Sequence, residues 1–173
     1  MKRVVRVWIA AAALASIAAA GQEGAAAGTW RAATESELRS VIPARAPVEK
    51  ERIETEFRTA SGITNGKGKF VAGVVLITAG YSAEGKYSHF FITQAPIKLR
   101  SLSLKPGEYV FGWRKGEDSL DVSFYEAQTG KFLGQVEATR VSRVGRIESF
   151  QILPPSDKRL IMIGRFGFPY KLE

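Results

Sequence analysis

The sequence has 173 residues, 45% of them hydrophobic, and no cysteine. This composition suits one domain with its own core, and it excludes a disulfide scaffold, a thiol nucleophile and a cysteine-based metal site. The 25 lysines and arginines outnumber the 17 acidic residues, for a formal net charge of +8, but they are dispersed along the chain. Such dispersion is typical of a solvated surface, so we expect no nucleic acid as a partner.

The first 20 residues have the pattern of a cleavable secretory signal peptide. A basic start at residues 2–6 precedes an apolar stretch from Val7 to Ala20, and alanines at 18–20 or 25–27 offer small residues for the cut. An uncleaved anchor is the alternative, but a spanning helix needs about 20 predominantly apolar residues and this run is shorter. We therefore expect a periplasmic or extracellular protein that meets a membrane only transiently, during export.

Residues 21–33 are small and aperiodic, which predicts a flexible tail before a single β domain at residues 34–173. The domain should open with a short helix, because Thr34 and Glu37 have the spacing of a capping box and Pro43 ends the pattern. Apolar positions of this helix recur three and four residues apart, at Leu38, Val41 and Ile42.

The rest of the domain has the pattern of β-strands separated by short turns. Residues 48–61 fit a helix or a half-buried strand, and the β-branched and aromatic residues on one face favour the strand. The clearest alternation runs from Leu120 to Tyr125, and Gln128–Lys131 reads as a hairpin loop. The remaining predicted strands cover residues 70–78, 87–94, 97–104, 108–113, 132–141, 147–153 and 160–168. In the strand at 132–141, the predicted shared face consists of Phe132, Gly134, Val136 and Ala138.

Seven or eight sequential strands joined by short loops indicate an antiparallel meander in a mainly β fold. Such a sheet must bury one face, so we expect a β-sandwich or, as the alternative, a small β-barrel. Residues 104–110, Leu-Lys-Pro-Gly-Glu-Tyr-Val, resemble the Pro-Gly turn and strand of prealbumin-like and carboxypeptidase-regulatory-type β-sandwich domains. The resemblance implies a sandwich and a non-enzymatic accessory or adhesion-type module.

His89 is the only histidine in the sequence, which limits the available chemistry. A zinc or copper site usually recruits several imidazoles or thiolates, and no Gly-x-Ser-x-Gly segment indicates a serine nucleophile. Because His89 alternates with Phe90, it should lie on the opposite face of its strand, in a structural or surface role. We predict no catalytic residue, no metal site and no cofactor.

The segment from Gly80 to His89 combines aromatic, acidic, basic and imidazole side chains after the most apolar predicted strand. Binding residues concentrate on such loops, and tyrosines offer ring faces and hydroxyls to sugars or peptides. Trp113, at a strand end with Arg114 and Lys115, could add aromatic and cationic contacts. An ordinary hairpin loop with core-packing tyrosines is the alternative. The candidate ligand-binding residues are Tyr81, Glu84, Lys86, Tyr87, His89 and Trp113.

These observations favour an exported, non-catalytic β domain that acts as a binding or accessory module. Its expected partner is a small molecule, a glycan or a protein. One alternative is a lipocalin-like β-barrel that carries a small apolar ligand. The other is a hydrolase in which His89 acts with an acid such as Glu84.

Expression of the full sequence in a bacterium tests the predicted signal peptide. We expect intact-mass analysis of the exported protein to show the loss of roughly 20–27 residues, because the small residues before either cut suit signal peptidase. A protein that keeps Met1 and is recovered with membranes would contradict the prediction.

Overall fold

The computed structural model describes residues 30–142 and 145–173. The predicted signal peptide, residues 1–20, and most of the predicted tail lie outside the described residues. Of the residues described, 55% are in strands and 8% are in helices, which confirms a mainly β fold. No helix within these two ranges is long and apolar enough to cross a membrane.

Thirteen strands and two helices make up the described part of the chain. The helices are α1 (Glu35–Val41) and α2 (Gly80–Ala83). The strands are β1 (Arg31–Ala32), β2 (Arg45–Val48), β3 (Glu51–Thr64), β4 (Phe70–Leu76), β5 (His89–Thr93), β6 (Ile97–Leu99), β7 (Leu102–Leu104), β8 (Gly107–Lys115), β9 (Ser119–Glu126), β10 (Phe132–Arg140), β11 (Phe150–Ile152), β12 (Leu160–Ile163) and β13 (Phe166–Leu172).

The strands form one antiparallel sheet that is nearly closed into a barrel. Its order is β1-β3-β4-β5-β8-β9-β10-β13-β12-β11. At the seam, β11 returns to β3, where the Ile152 amide donates a hydrogen bond of 2.9 Å to the Ser61 hydroxyl. The run from β3 to β10 is the predicted meander, interrupted only by β6 and β7, whereas the β10–β13 pairing is non-sequential.

Residues on one face of each strand fill the inside of the sheet and form the interior cluster. Phe124 lies near its centre, with ring centroids 4.9 Å from Phe111, 6.1 Å from Phe91 and 6.2 Å from Phe168. Such offset and edge-to-face contacts are favoured because they oppose the positive edge of one ring to the negative face of another. The alternation that predicted an inward Phe124 is therefore confirmed.

A second apolar layer, the outer cluster, covers the other face of β4, β5 and β8. Helix α1 contributes Leu38, its C-cap residue Ile42 adds a second side chain, and β2 contributes Ala46 and Val48; all pack over the sheet. This layer explains why β4 is apolar on both faces. The predicted helix is confirmed, since the Thr34 side chain and Glu37 form the capping box that starts α1.

The two ends of the barrel differ. The hairpin of β6 and β7 pairs with β13 and covers one end, where it adds Ile97, Leu99 and Leu104 to the interior cluster. The other end receives the last residues of β4, β8 and β10 and the first residues of β5, β9 and β13. No strand of the described part covers that end, which leaves it open.

Residues 30–33 were expected to belong to a flexible tail, but they are part of the fold. Arg31 and Ala32 form β1 by pairing with Thr64 and Ile63 of β3, and Trp30 packs into the interior cluster. Burial of a large aromatic ring offsets the entropy of ordering this short segment. The sequence pattern does not indicate β1, because a strand of two residues is too short to show an alternation of apolar and polar residues.

Two segments predicted as single strands are hairpins. Residues 97–104 turn at Arg100, which takes a positive φ of 52° without being a glycine, and residues 160–168 turn at Gly164 between β12 and β13. The face predicted for 132–141 is also wrong at its first residue. A β-bulge between Phe132 and Gly134 shifts the register, and Phe132 is 55% exposed.

Phe124→Ala and Ser123→Ala form a matched pair that tests the inward face of β9. Phe124 is fully buried and Ser123 lies on the opposite face, so we expect Phe124→Ala to lower the free energy of unfolding by about 3–5 kcal/mol and Ser123→Ala to change it little. Urea denaturation at neutral pH measures both values. Equal losses at the two positions would mean that the face or the two-residue period assigned to β9 is wrong.

Candidate functional site

The open end of the barrel holds a cavity of about 740 Å³. This volume lies within the range of roughly 300–1,000 Å³ that is usual for small-molecule sites. Most of the wall is apolar, and the apolar side chains that line it are Val75, Trp113, Leu120, Ile147, Ile163 and Phe166. The cavity therefore offers a water-exposed entrance above a packed, apolar interior.

Strand alternation determines which side chains face the cavity. Along β8, Phe111 is buried in the interior cluster, and Trp113 and Lys115 follow on the same face at the cavity. Along β10, Arg140 follows the buried Ala138 in the same way. Each of these strands thus runs from a buried apolar residue to a cation at the cavity mouth.

Three cations, Lys115, Arg140 and Arg165, lie along the cavity; we call them the rim cations. All three are exposed, and none forms an ion pair with a carboxylate of residues 30–142 or 145–173. Glu148, the acid that also lines the cavity, is paired with Arg146 at 2.9 Å. The uncompensated charge of the mouth is therefore positive.

His89 lines the same cavity from inside the barrel. Its ring stacks on Phe111 with centroids 4.6 Å apart, and its Nδ1 lies 2.8 Å from the Ser88 hydroxyl oxygen. Its Nε2 is buried and has no hydrogen-bond partner among the described residues. Because burial penalises the charged ring, the pKa of His89 is lowered from its usual value to about 3.

The contact between Ser88 and His89 has the elements of a nucleophile and a base, but not their usual arrangement. No carboxylate of the described residues hydrogen-bonds to the His89 ring, and the lowered pKa makes the imidazole a weak base near neutral pH. Glu84 is exposed and pairs instead with Lys86 at 3.6 Å. This geometry places a hydroxyl–imidazole hydrogen bond beside the cavity.

The six candidate ligand-binding residues do not gather in one place. His89 and Trp113 line the cavity, whereas Glu84 and Lys86 are exposed in the segment after α2. Tyr87 is only 2% exposed and donates a hydrogen bond of 2.5 Å to Glu49. Burial, and after it the hydrogen bond to that carboxylate, raise the pKa of Tyr87.

Tyr81 and Tyr87 secure this segment to the outer face of the sheet. Their ring centroids are 4.9 Å apart, and Tyr87 also meets Tyr125 edge-on at 5.2 Å. The segment crosses close over β8, since a Cβ built on Gly112 would lie 2.0 Å from the Lys86 carbonyl oxygen. Glycine is thus required at this crossing, which puts the tyrosines on the opposite side of β8 from Trp113.

Local sequence patterns identified one of the three rim cations, Lys115 beside Trp113. The three cations are 25 residues apart at each step, at 115, 140 and 165, and no local run connects them. One signal was available, because Lys115 shares a strand face with Trp113, and Arg140 shares one with Ala138. Their convergence, however, depends on the pairing of β10 with β13, which local patterns do not determine.

Comparison of the chain with protein-family models, with curated proteins and with solved structures finds no match. Within residues 30–142 and 145–173, no group of three or more histidines and acids is placed to hold a metal ion. The cavity, its rim cations and His89 are therefore the features from which a function can be argued.

The free energy of unfolding should decrease as the pH is lowered, because His89 is buried in its neutral form. Below about pH 6.5 the unfolded chain binds a proton at this histidine that the folded chain excludes down to about pH 3. The contribution is fully present above pH 6.5 and decreases as the pH falls, by about 1.4 kcal/mol per unit well below 6.5.

Urea denaturation between pH 7.5 and 4.5 measures this slope in the wild type and in His89→Phe. Since the chain has one histidine, the difference in unfolding free energy between the two proteins gives the contribution of His89. The contribution of the carboxylates is common to both proteins and cancels. We expect the variant to lose less stability than the wild type on acidification. Parallel curves would mean that His89 is protonated to the same degree in both states.

Proposed function

We propose that this protein is a non-catalytic binding protein that holds the apolar part of one small ligand in the open end of its barrel. The observation that carries the proposal is the cavity of about 740 Å³ with a mainly apolar wall. It favours the carrier with a lipocalin-like barrel among the possibilities raised by the sequence. Together with the expected export, this makes the protein a proposed periplasmic or extracellular carrier.

The mouth of the cavity exposes apolar surface that a ligand would cover. Trp113 is 37% exposed and Ile147 is 46% exposed, and both line the cavity. Removing such surface from water yields roughly 25 cal/mol per Å². A concave site of this kind suits a small molecule, whereas a stable protein partner needs about 800 Å² of its own surface covered.

The absence of catalysis is proposed from the chemistry of His89. A general base works best with a pKa near the working pH, and burial holds the pKa of His89 at about 3. The imidazole also lacks a carboxylate partner within the described residues. The hydrolase alternative predicts that His89→Ala abolishes turnover of some ester or amide, and the carrier proposal predicts no turnover to lose.

Titration with N-phenyl-1-naphthylamine, a neutral apolar probe whose fluorescence rises in apolar sites, tests the binding proposal. We expect saturable binding to the wild type and at least tenfold weaker binding to Val75→Trp, because the inward Val75 lines the cavity and a larger ring would fill it. The matched control is Gln135→Trp, which adds the same ring to an exposed position of β10.

The control variant should bind the probe as the wild type does, and melting curves must show that both variants are folded. Equal affinity of folded Val75→Trp and wild type would mean that the probe binds elsewhere. Absence of saturable binding to the wild type would overturn the proposal for ligands of this apolar type.

A further inference from the structure

We propose that the ligand of this cavity is a single-chain amphiphile with an anionic head group, and that the rim cations bind the head. The inference rests on the proposed function, because it assigns the chemical class of the ligand in the same cavity. The apolar wall receives the chain of the amphiphile, and Lys115, Arg140 and Arg165 receive its carboxylate, sulfate or phosphate.

The strand register brings the rim cations to one part of the mouth. Arg140 of β10 is paired with Phe166 of β13. Arg165 directly precedes Phe166 in the chain, so it lies next to the residue that faces Arg140 across the two strands. The Val141 amide also donates a hydrogen bond of 2.9 Å to the Arg165 carbonyl oxygen. Lys115 ends β8, two strands from β10, which corresponds to about 10 Å between backbones.

Arg140 is held against the apolar wall that the chain of the ligand would contact. Its guanidinium carbon lies 5.3 Å from the centre of the Phe166 ring. This cation–π contact restrains the side chain at the mouth, and the planar guanidinium can still donate two parallel hydrogen bonds to a carboxylate or phosphate. The residue thereby joins the apolar and cationic parts of the site.

The charge balance of the mouth favours an anion over a neutral or cationic head. The rim cations have no carboxylate partner in the described ranges, and Glu148 is already neutralised by Arg146. A positive potential beside a low-dielectric cavity raises the local concentration of anions and their rate of association. A cationic head would meet repulsion, and a neutral head would gain none of this attraction.

The test compares three probes that have apolar chains of nine or ten carbons and different heads: decanoate, decanol and decyltrimethylammonium. Decanoate and decyltrimethylammonium are used below their micelle concentrations and decanol below its solubility limit, and displacement of N-phenyl-1-naphthylamine gives each affinity. We expect decanoate to bind most tightly and decyltrimethylammonium most weakly. Raising the salt concentration should weaken decanoate binding and leave decanol binding unchanged, because salt screens only charged contacts.

Neutral substitutions at the rim assign the effect to particular residues. We expect Lys115→Gln, Arg140→Gln and Arg165→Gln each to weaken decanoate binding about two- to fivefold, the usual size of an exposed ion pair. Decanol affinity should stay within twofold in each variant. The matched control, Lys67→Gln, removes an exposed cation from the turn between β3 and β4 and should alter neither affinity.

The outcomes separate the two proposals. If decanoate and decanol bind with equal affinity, and the rim variants leave both unchanged, the anionic head is wrong while the apolar cavity stands. The proposed function itself fails if N-phenyl-1-naphthylamine does not bind in the cavity, or if none of the three probes displaces it. An equal loss of decanoate affinity in Lys67→Gln would attribute the effect to net charge and would overturn the assignment to the rim.

Discussion

The barrel depends on the packing of Phe150 against the bare backbone of Gly73. A Cβ at Gly73 would lie 2.8 Å from the Phe150 ring, so this glycine is what allows β11 to approach β4 and return to β3. The same ring lies 5.3 Å from His89 and 6.0 Å from Phe111. Since Ile147 and the two residues after it line the cavity just before β11 begins, this contact also determines one wall of the candidate site.

The polarity of the site follows from the same alternation that builds the core. On β8 the inward face passes from Phe111, which is buried, through Trp113 at the mouth to Lys115 in solvent. The strands thus continue beyond the buried aromatic rings of the interior cluster. Their next inward residues form the apolar wall of the cavity, and the residues at their ends form its cationic rim. His89 stays neutral at this boundary near pH 7 because burial lowers its pKa to about 3, so the buried side chains of the described ranges carry no charge there.

Local patterns predicted the elements that depend on local physics. The capping box at Thr34 and the alternation at Leu120–Tyr125 are each contained in a few residues, and both are present in the structure. The hairpin turn at Arg100 was missed because an arginine with positive φ has no turn signature. A barrel that holds an apolar ligand was one alternative from the sequence, but the place of the cavity and its rim could not be predicted, because both depend on the pairing of β10 with β13 and the return of β11 to β3.

The two ends of the barrel differ in whether their buried polar side-chain atoms are hydrogen-bonded. At the covered end, the hydroxyl of Tyr109 donates a hydrogen bond of 2.7 Å to the Lys105 carbonyl oxygen, and Tyr170 donates one of 2.8 Å to Leu153. Within the described ranges, the one buried side-chain nitrogen or oxygen without a hydrogen-bond partner is Nε2 of His89, in the residue that lines the open end. Folded chains satisfy almost all such groups, and exceptions concentrate where function imposes its own requirements. The departure from full hydrogen bonding therefore coincides with the cavity for which binding is proposed.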